Sequence, residues 1–192
     1  MSTASDHSKY YTDFLKNGVT VYSNKDTANV LEEKSGKHIR NLISDRHNRI
    51  AGGYVVVPFA VPHENVANTA FLIQFSNGQR MLYCTDFEYI EYKLASWKID
   101  HFLIAINHSE DIPCEANARE HRMRGHSSLE TVKDFIRTSM TERCKSVTAC
   151  HLSSVYADPE RIERELKELC GDGVDVNIAH KGMKITLRED NA

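Results

Sequence analysis

Residues 54–61, Tyr-Val-Val-Val-Pro-Phe-Ala-Val, form a nearly continuous apolar run between Gly52-Gly53 and Pro62. The run is too short for a typical helix and rich in β-branched residues, so it reads as a buried strand. Two further apolar segments, 70–75 and 80–84, flank Ser76-Asn77-Gly78-Gln79. Asn-Gly between such segments is a strong hairpin signal. Upstream, Asp6 reads as the N-cap of a short helix through Tyr10, Tyr11 and Phe14 that stops at Asn17-Gly18, with Tyr10, Phe14 and Leu15 as its buried stripe. A strand follows at 19–22 and a helix at 26–34 ending at Gly36. Downstream, the pattern predicts a helix over 88–97, a strand over 101–106, a helix over 128–140, a strand over 145–150 and a helix over 158–169. Segments 175–178 and 184–187 read as a closing strand pair. Strands alternating with helices around one internal hairpin give an α/β sandwich of mixed sheets. No linker or repeat divides the chain, so residues 1–192 are expected to form a single domain.

Composition narrows the function classes. With 41% hydrophobic and 27% charged residues, the chain is neither a disordered tail nor a fibre. A formal net charge of −3 argues against a global nucleic-acid footprint. No apolar run approaches the roughly 20 residues of a membrane span, and no signal-peptide pattern opens the sequence, so a cytoplasmic protein without membrane partners is expected. The five cysteines show no Cys-x-x-Cys pair and read as reduced thiols, mostly buried. Ten histidines in 192 residues, about double an ordinary frequency, make metal ligands worth seeking.

Three polar residues directly follow predicted strands: His63, Asp86 and His151. Strand ends of one sheet converge on a common crevice, where α/β sites are usually built. Asp6 and His7 supply two more candidate ligands. Imidazoles and carboxylates without thiolates suit zinc, manganese or iron with open coordination positions. Each residue also has a plainer role: Asp6 as a helix cap, His63 and His151 as ordinary loop or core histidines, Asp86 as a turn residue.

Asp6-His7-Ser8-Lys9-Tyr10, Val57-Pro58-Phe59-Ala60-Val61-Pro62-His63, Tyr83-Cys84-Thr85-Asp86 and Ala149-Cys150-His151-Leu152-Ser153 resemble, in order, the metal motifs of the metallo-β-lactamase superfamily. The likeness is to its phosphodiesterase-like branch, with ribonuclease Z, exonuclease-like bacterial members and phage cyclic-nucleotide phosphodiesterases. Ile104-Ala105-Ile106-Asn107-His108 and Arg124-Gly125-His126-Ser127-Ser128 resemble that branch's strand ending in E-x-N-H and its G-H-L-S segment. The resemblance implies an αββα sandwich of two mixed sheets. It also implies metal ligands Asp6, His7, His63, Asp86 and His151, with Asp86 bridging two metals. Asp6 and His126 are the implied catalytic residues, and Asn107 and Ser127 the implied substrate contacts. His126 and Ser127 would contact or protonate a scissile phosphate; the plainer reading has Ser127 or Ser128 capping the next helix. Asn107-His108 reads equally as the polar end of a strand. Arg119, Arg122 and Arg124 suit phosphate oxygens or form a solvated loop. The implied activity is hydrolysis of a phosphodiester, a cyclic nucleotide or a nucleic-acid end, with one or two divalent ions, zinc or manganese.

The chain departs from that pattern in its first motif, H-x-H-x-D-H. Its last two residues align with Asp6 and His7, so the two leading histidines fall on Ser2 and Ala4. The family's strands that precede this motif are also not in this sequence, so the expected sandwich lacks its N-terminal strands. The alternative expectation is therefore a catalytically impaired relative that binds a nucleotide or a partner. A sheet short of strands exposes an edge and a core face, so a homodimer is expected. Light scattering and melting should show a dimer or a chain of modest stability; a monomer of ordinary stability contradicts the expectation.

Overall fold

In the computed structural model, which describes residues 9–64, 66–113 and 125–187, the elements are α1 (Tyr11–Lys16), β1 (Tyr22–Ser23), α2 (Lys25–Ser35), β2 (Arg40–Asn41), β3 (Asn48–Arg49), β4 (Val55–His63) and β5 (Val66–Gln74). They continue with β6 (Arg80–Cys84), β7 (His101–Ala105), α3 (Leu129–Ser139), β8 (Ser146–Cys150), α4 (Pro159–Cys170) and β9 (Asp175–Ile178). One sheet has seven strands in the order β3-β4-β5-β6-β7-β8-β9, and β1 and β2 form a small parallel sheet. The large sheet is antiparallel from β3 to β6 and parallel from β6 to β9.

Period-2 patterning builds the core face. Val57, Phe59 and Val61 of β4, Phe102 and Ile104 of β7, and Val147 and Ala149 of β8 all point into one cluster. Helices α3 and α4 cover it with Leu129, Val132, Phe135 and Ile136, and with Ile162 and Leu166, at helical spacing. Helix α1 does not start from the expected Asp6 cap: it begins at Tyr11 after Tyr10, with no side-chain cap. The later helix starts are capped. Ser128 accepts from Thr131 N, Asp158 accepts from Arg161 N ahead of Pro159, and Asn24 accepts from Thr27 N. Gly36, at φ 64°, closes α2. Asp100 ties the amino ends of the central strands: fully buried, it accepts from Arg143 Nη2 at 2.9 Å and from Arg80 N at 2.8 Å.

Four expectations change. Residues 88–97 are not a helix, apart from a short 3-10 turn at Ala95–Trp97. Their amides bond across the fold, Glu88 N to Pro62 O and Leu94 N to Ser139 Oγ, and tertiary acceptors replace the i−4 carbonyls a helix would use. Residues 184–187 form no strand; a turn closed by Met183 N to His180 O, with Gly182 at φ 84°, carries the chain past the end of β9. The strand expected at 19–22 shrinks to β1, because Val19 N bonds back to Phe14 O. Tyr10 and Phe14 are exposed, while Tyr11 and Leu15 pack on Ala28, Leu31 and Ile39. No helix among the described residues is long and apolar enough to cross a membrane.

An ion network joins α3 to α4. Lys133 Nζ lies 2.6 Å from Glu165 Oε2 and 2.9 Å from Glu130 Oε1, and Arg161 Nε lies 2.6 Å from Glu165 Oε1. Lys133 first, and Arg161 second, hold the Glu165 carboxyl down at about 2. A folded value below the unfolded one gives stability that is full above the ordinary carboxylate range and lost as pH falls toward 2. The pair is partly solvated, so the gain is about 1 kcal/mol. Denaturant melts between about pH 5 and 2 should show Glu165→Gln losing less stability on acidification than the parent.

Candidate metal centre

β6 is the strand at which the sheet switches from antiparallel to parallel pairing, and the crevice at its carboxyl end gathers the polar residues. Asp86 lies two residues beyond β6, His151 is the first residue after β8, and His63 is the last residue of β4. His126 arrives by another route. The segment before α3 is pinned beside the end of β7: Asn107 N donates to Ser127 O, Ser127 Oγ to Ala105 O at 2.7 Å, and Leu129 N to His108 O. That register sets His126 over the crevice.

Asp86 is the centre of the arrangement. Its Oδ1 lies 3.0 Å from His151 Nε2 and 3.7 Å from His126 Nδ1. The ring of His126 stacks on His151 with centroids 5.7 Å apart, and His63 meets His126 edge-on at 5.2 Å. Asp86 is 7% exposed, and a carboxylate so buried needs cationic or donor partners. Imidazoles on two sides supply them. His63 Nδ1 bonds to the carbonyl of Gly125. A carbonyl only accepts, so Nδ1 carries a proton, and in the neutral ring Nε2 then has the lone pair. Gly125 packs closely here: a Cβ would sit 2.9 Å from Glu64 Cγ, displacing that side chain, and 3.3 Å from His63 Cε1.

The donor atoms of Asp86, His126 and His151 lie within 4.8 Å of one another. Donors about 2.1 Å from a tetrahedral ion would stand roughly 3.4 Å apart. The distances from Asp86 Oδ1 to His151 Nε2 (3.0 Å) and to His126 Nδ1 (3.7 Å) lie on either side of that spacing. Two imidazoles and one carboxylate fit a divalent metal. Thiolates take no part. Burial pushes the Cys150 thiol up to about 12, helped by Asp86, and burial raises Cys84 well above its ordinary value. Backbone strain marks the same place. Of the non-glycine residues with positive φ, Glu64, Asp86 and His151 (51°, 50° and 56°) all sit at strand ends of this crevice.

The structure brings together His63, Asp86, His126 and His151. Asp6 and His7 lie outside the described residues, as do Arg119, Arg122 and Arg124. Asn107 Nδ2 donates to His151 O at 3.3 Å, and Ser127, 1% exposed, spends its hydroxyl on Ala105 O. Sequence reasoning expected His126 as a proton donor, and its place among the ligand atoms comes from the structure. It missed Asn68, whose amide donates to Thr85 O and Asp86 O. No sequence signal marked it, since Asn68 lies among the polar residues Glu64, Asn65 and Thr69.

No family model and no curated protein sequence matches the chain. Solved structures do. A diphosphatase of the PhnP family shares 18% identity at a TM-score of 0.59, over 87% of this chain and 57% of that one. Unliganded yeast PDE1 shares 16% at 0.63, over 85% and 58%. Zn²⁺-bound PqqB from Methylobacterium extorquens shares 13% at 0.61, over 88% and 65%. The chain thus spans 57% to 65% of the length of these proteins. A seven-stranded mixed sheet with a smaller companion, superposable on all three, gives this chain the metallo-β-lactamase fold.

Proposed function

We propose that this protein is a metal-dependent hydrolase that cleaves a phosphodiester, either a cyclic nucleotide or a nucleic-acid end. The observation that carries the reading is the convergence of Asp86, His126 and His151 donor atoms within 4.8 Å at strand ends of one crevice. The PhnP-family diphosphatase supports phosphoryl chemistry, and Zn²⁺-bound PqqB supports a divalent ion on this fold. Zinc and manganese both suit the donor set.

A divalent metal held by these residues supplies Lewis acidity to a phosphoryl oxygen and acidifies water at neutral pH. The chain's own groups do the rest. The buried Asp86 carboxylate would offset the cation's charge. His151, with its backbone fixed by Asn107, presents Nε2 toward that carboxylate. His126 faces Asp86 through Nδ1. An imidazole that is not bound to the metal hands a proton to a leaving oxygen at neutral pH, so His126 serves either as the third ligand or as the general acid. His63, with Nδ1 donating to Gly125 O, directs its other ring nitrogen away from that bond.

Elemental analysis of protein purified without chelator is expected to give at least about one divalent ion per chain, and Asp86→Ala should lose most of it. Bis(p-nitrophenyl) phosphate should be hydrolysed, and Asp86→Ala should slow the reaction by about 100-fold or more, since even partners of a ligand are worth 10–100-fold. Protein without metal overturns the hydrolase reading. Metal without turnover of any phosphodiester favours the alternative, a nucleotide- or partner-binding protein.

A further inference from the structure

We propose that Asn68 and Asn107 are a matched pair of positioning residues, each holding by its side-chain amide the backbone of one metal-ligating residue, Asp86 and His151 respectively. The inference rests on the metal reading above. Both ligand residues have left-handed backbones, at φ 50° and 56°, a conformation that costs roughly 1 kcal/mol or more for a residue with a Cβ. Such a residue at the end of a strand turns its carbonyl off the ladder, and a carbonyl without a donor there is costly.

Asn68 supplies the donors for Asp86. Its Nδ2 gives one bond to Thr85 O at 2.8 Å and one to Asp86 O at 2.7 Å, while its Oδ1 accepts from Thr69 N at 2.8 Å. Both amide hydrogens are thereby used, and the side chain cannot turn without breaking all three bonds. Asn68 stands opposite Val61 in the β4–β5 ladder, so the hairpin that carries His63 also carries the clamp on Asp86. Asn107 does the same from the end of β7. Its Nδ2 donates to His151 O, its backbone O accepts from Ser153 N at 2.9 Å, and its N–H donates to Ser127 O, next to His126. One asparagine thus fixes two ligand segments relative to each other.

The test compares the wild-type chain with Asn68→Asp and Asn107→Ala. Asn68→Asp keeps the shape and replaces two donors with an oxygen that repels the Thr85 and Asp86 carbonyls. Zn²⁺ affinity by chelator competition should weaken 10–100-fold in Asn68→Asp and by a similar or smaller factor in Asn107→Ala. The visible spectrum of the Co²⁺-loaded chain should change in band position or intensity, a signature that a merely structural residue would not move. Melting in excess chelator reports folding separately. Affinity and Co²⁺ spectrum equal to wild type in both variants overturn the inference, including when the chelated melting temperature has dropped. If Asn68→Asp does not fold, Asn107→Ala decides alone. A wild-type chain that binds neither ion overturns the metal reading, and this inference with it.

Discussion

The pairing of the buried Asp86 carboxylate with imidazoles is the interaction on which the rest of the centre depends. At 7% exposure the carboxylate has little water to solvate it, so its charge must be met by the protein or by a bound cation. His151 at 3.0 Å and His126 at 3.7 Å meet it, and they reach it from different parts of the chain. The geometry then follows from where Asp86 stands. β6 is antiparallel to β5 and parallel to β7, so residues just past its end face both the β4–β5 hairpin and the ends of the parallel strands. A ligand residue placed at that junction can collect partners from both halves of the sheet.

The elements that were legible in the sequence share one property: their pattern agrees with their burial. The 54–61 run, the segments flanking Asn77-Gly78 and the short segments of β7 and β8 all became strands because the same residues that favour a strand are also buried in the core. The failures lie where partners far along the chain decided. Residues 88–97 look helical, but the amides of Glu88 and Leu94 found acceptors on Pro62 and Ser139. β5 begins before the expected 70, because Asn68 and Thr69 also sit in the ladder, opposite Val61 and Ala60. Of the site, His63, Asp86 and His151 were visible as polar residues after strands. The place of His126 was not, since it depends on Ser127 and Ser128 registering beside Asn107 and His108, a contact without a local sequence signal.

Within the described residues, the donor set also differs from the pattern the sequence resembles. That pattern draws imidazoles for its first metal from a motif whose leading histidines fall here on Ser2 and Ala4. His126 enters the described cluster beside Asp86. An imidazole close enough to share a cation is also close enough to pass a proton, and both uses depend on how the ring is held. The ring is held from three sides: its face against His151, an edge toward His63, and its backbone through the Ser127 bonds to Asn107 and Ala105.

Backbone strain explains why the clamps belong to the same design. Asp86 and His151 at positive φ together cost a few kcal/mol in order of magnitude. Glycine at either position would relieve that cost and remove the ligand with it. The fold therefore keeps the side chain and supplies donors to the carbonyls that the left-handed turn exposes. Those donors sit on β5 and at the end of β7, elements packed on the main core, so the strain is carried by the most rigid part of the sheet. A loop free to relax would shed the strain and let the donor atoms, now within 4.8 Å of one another, drift apart.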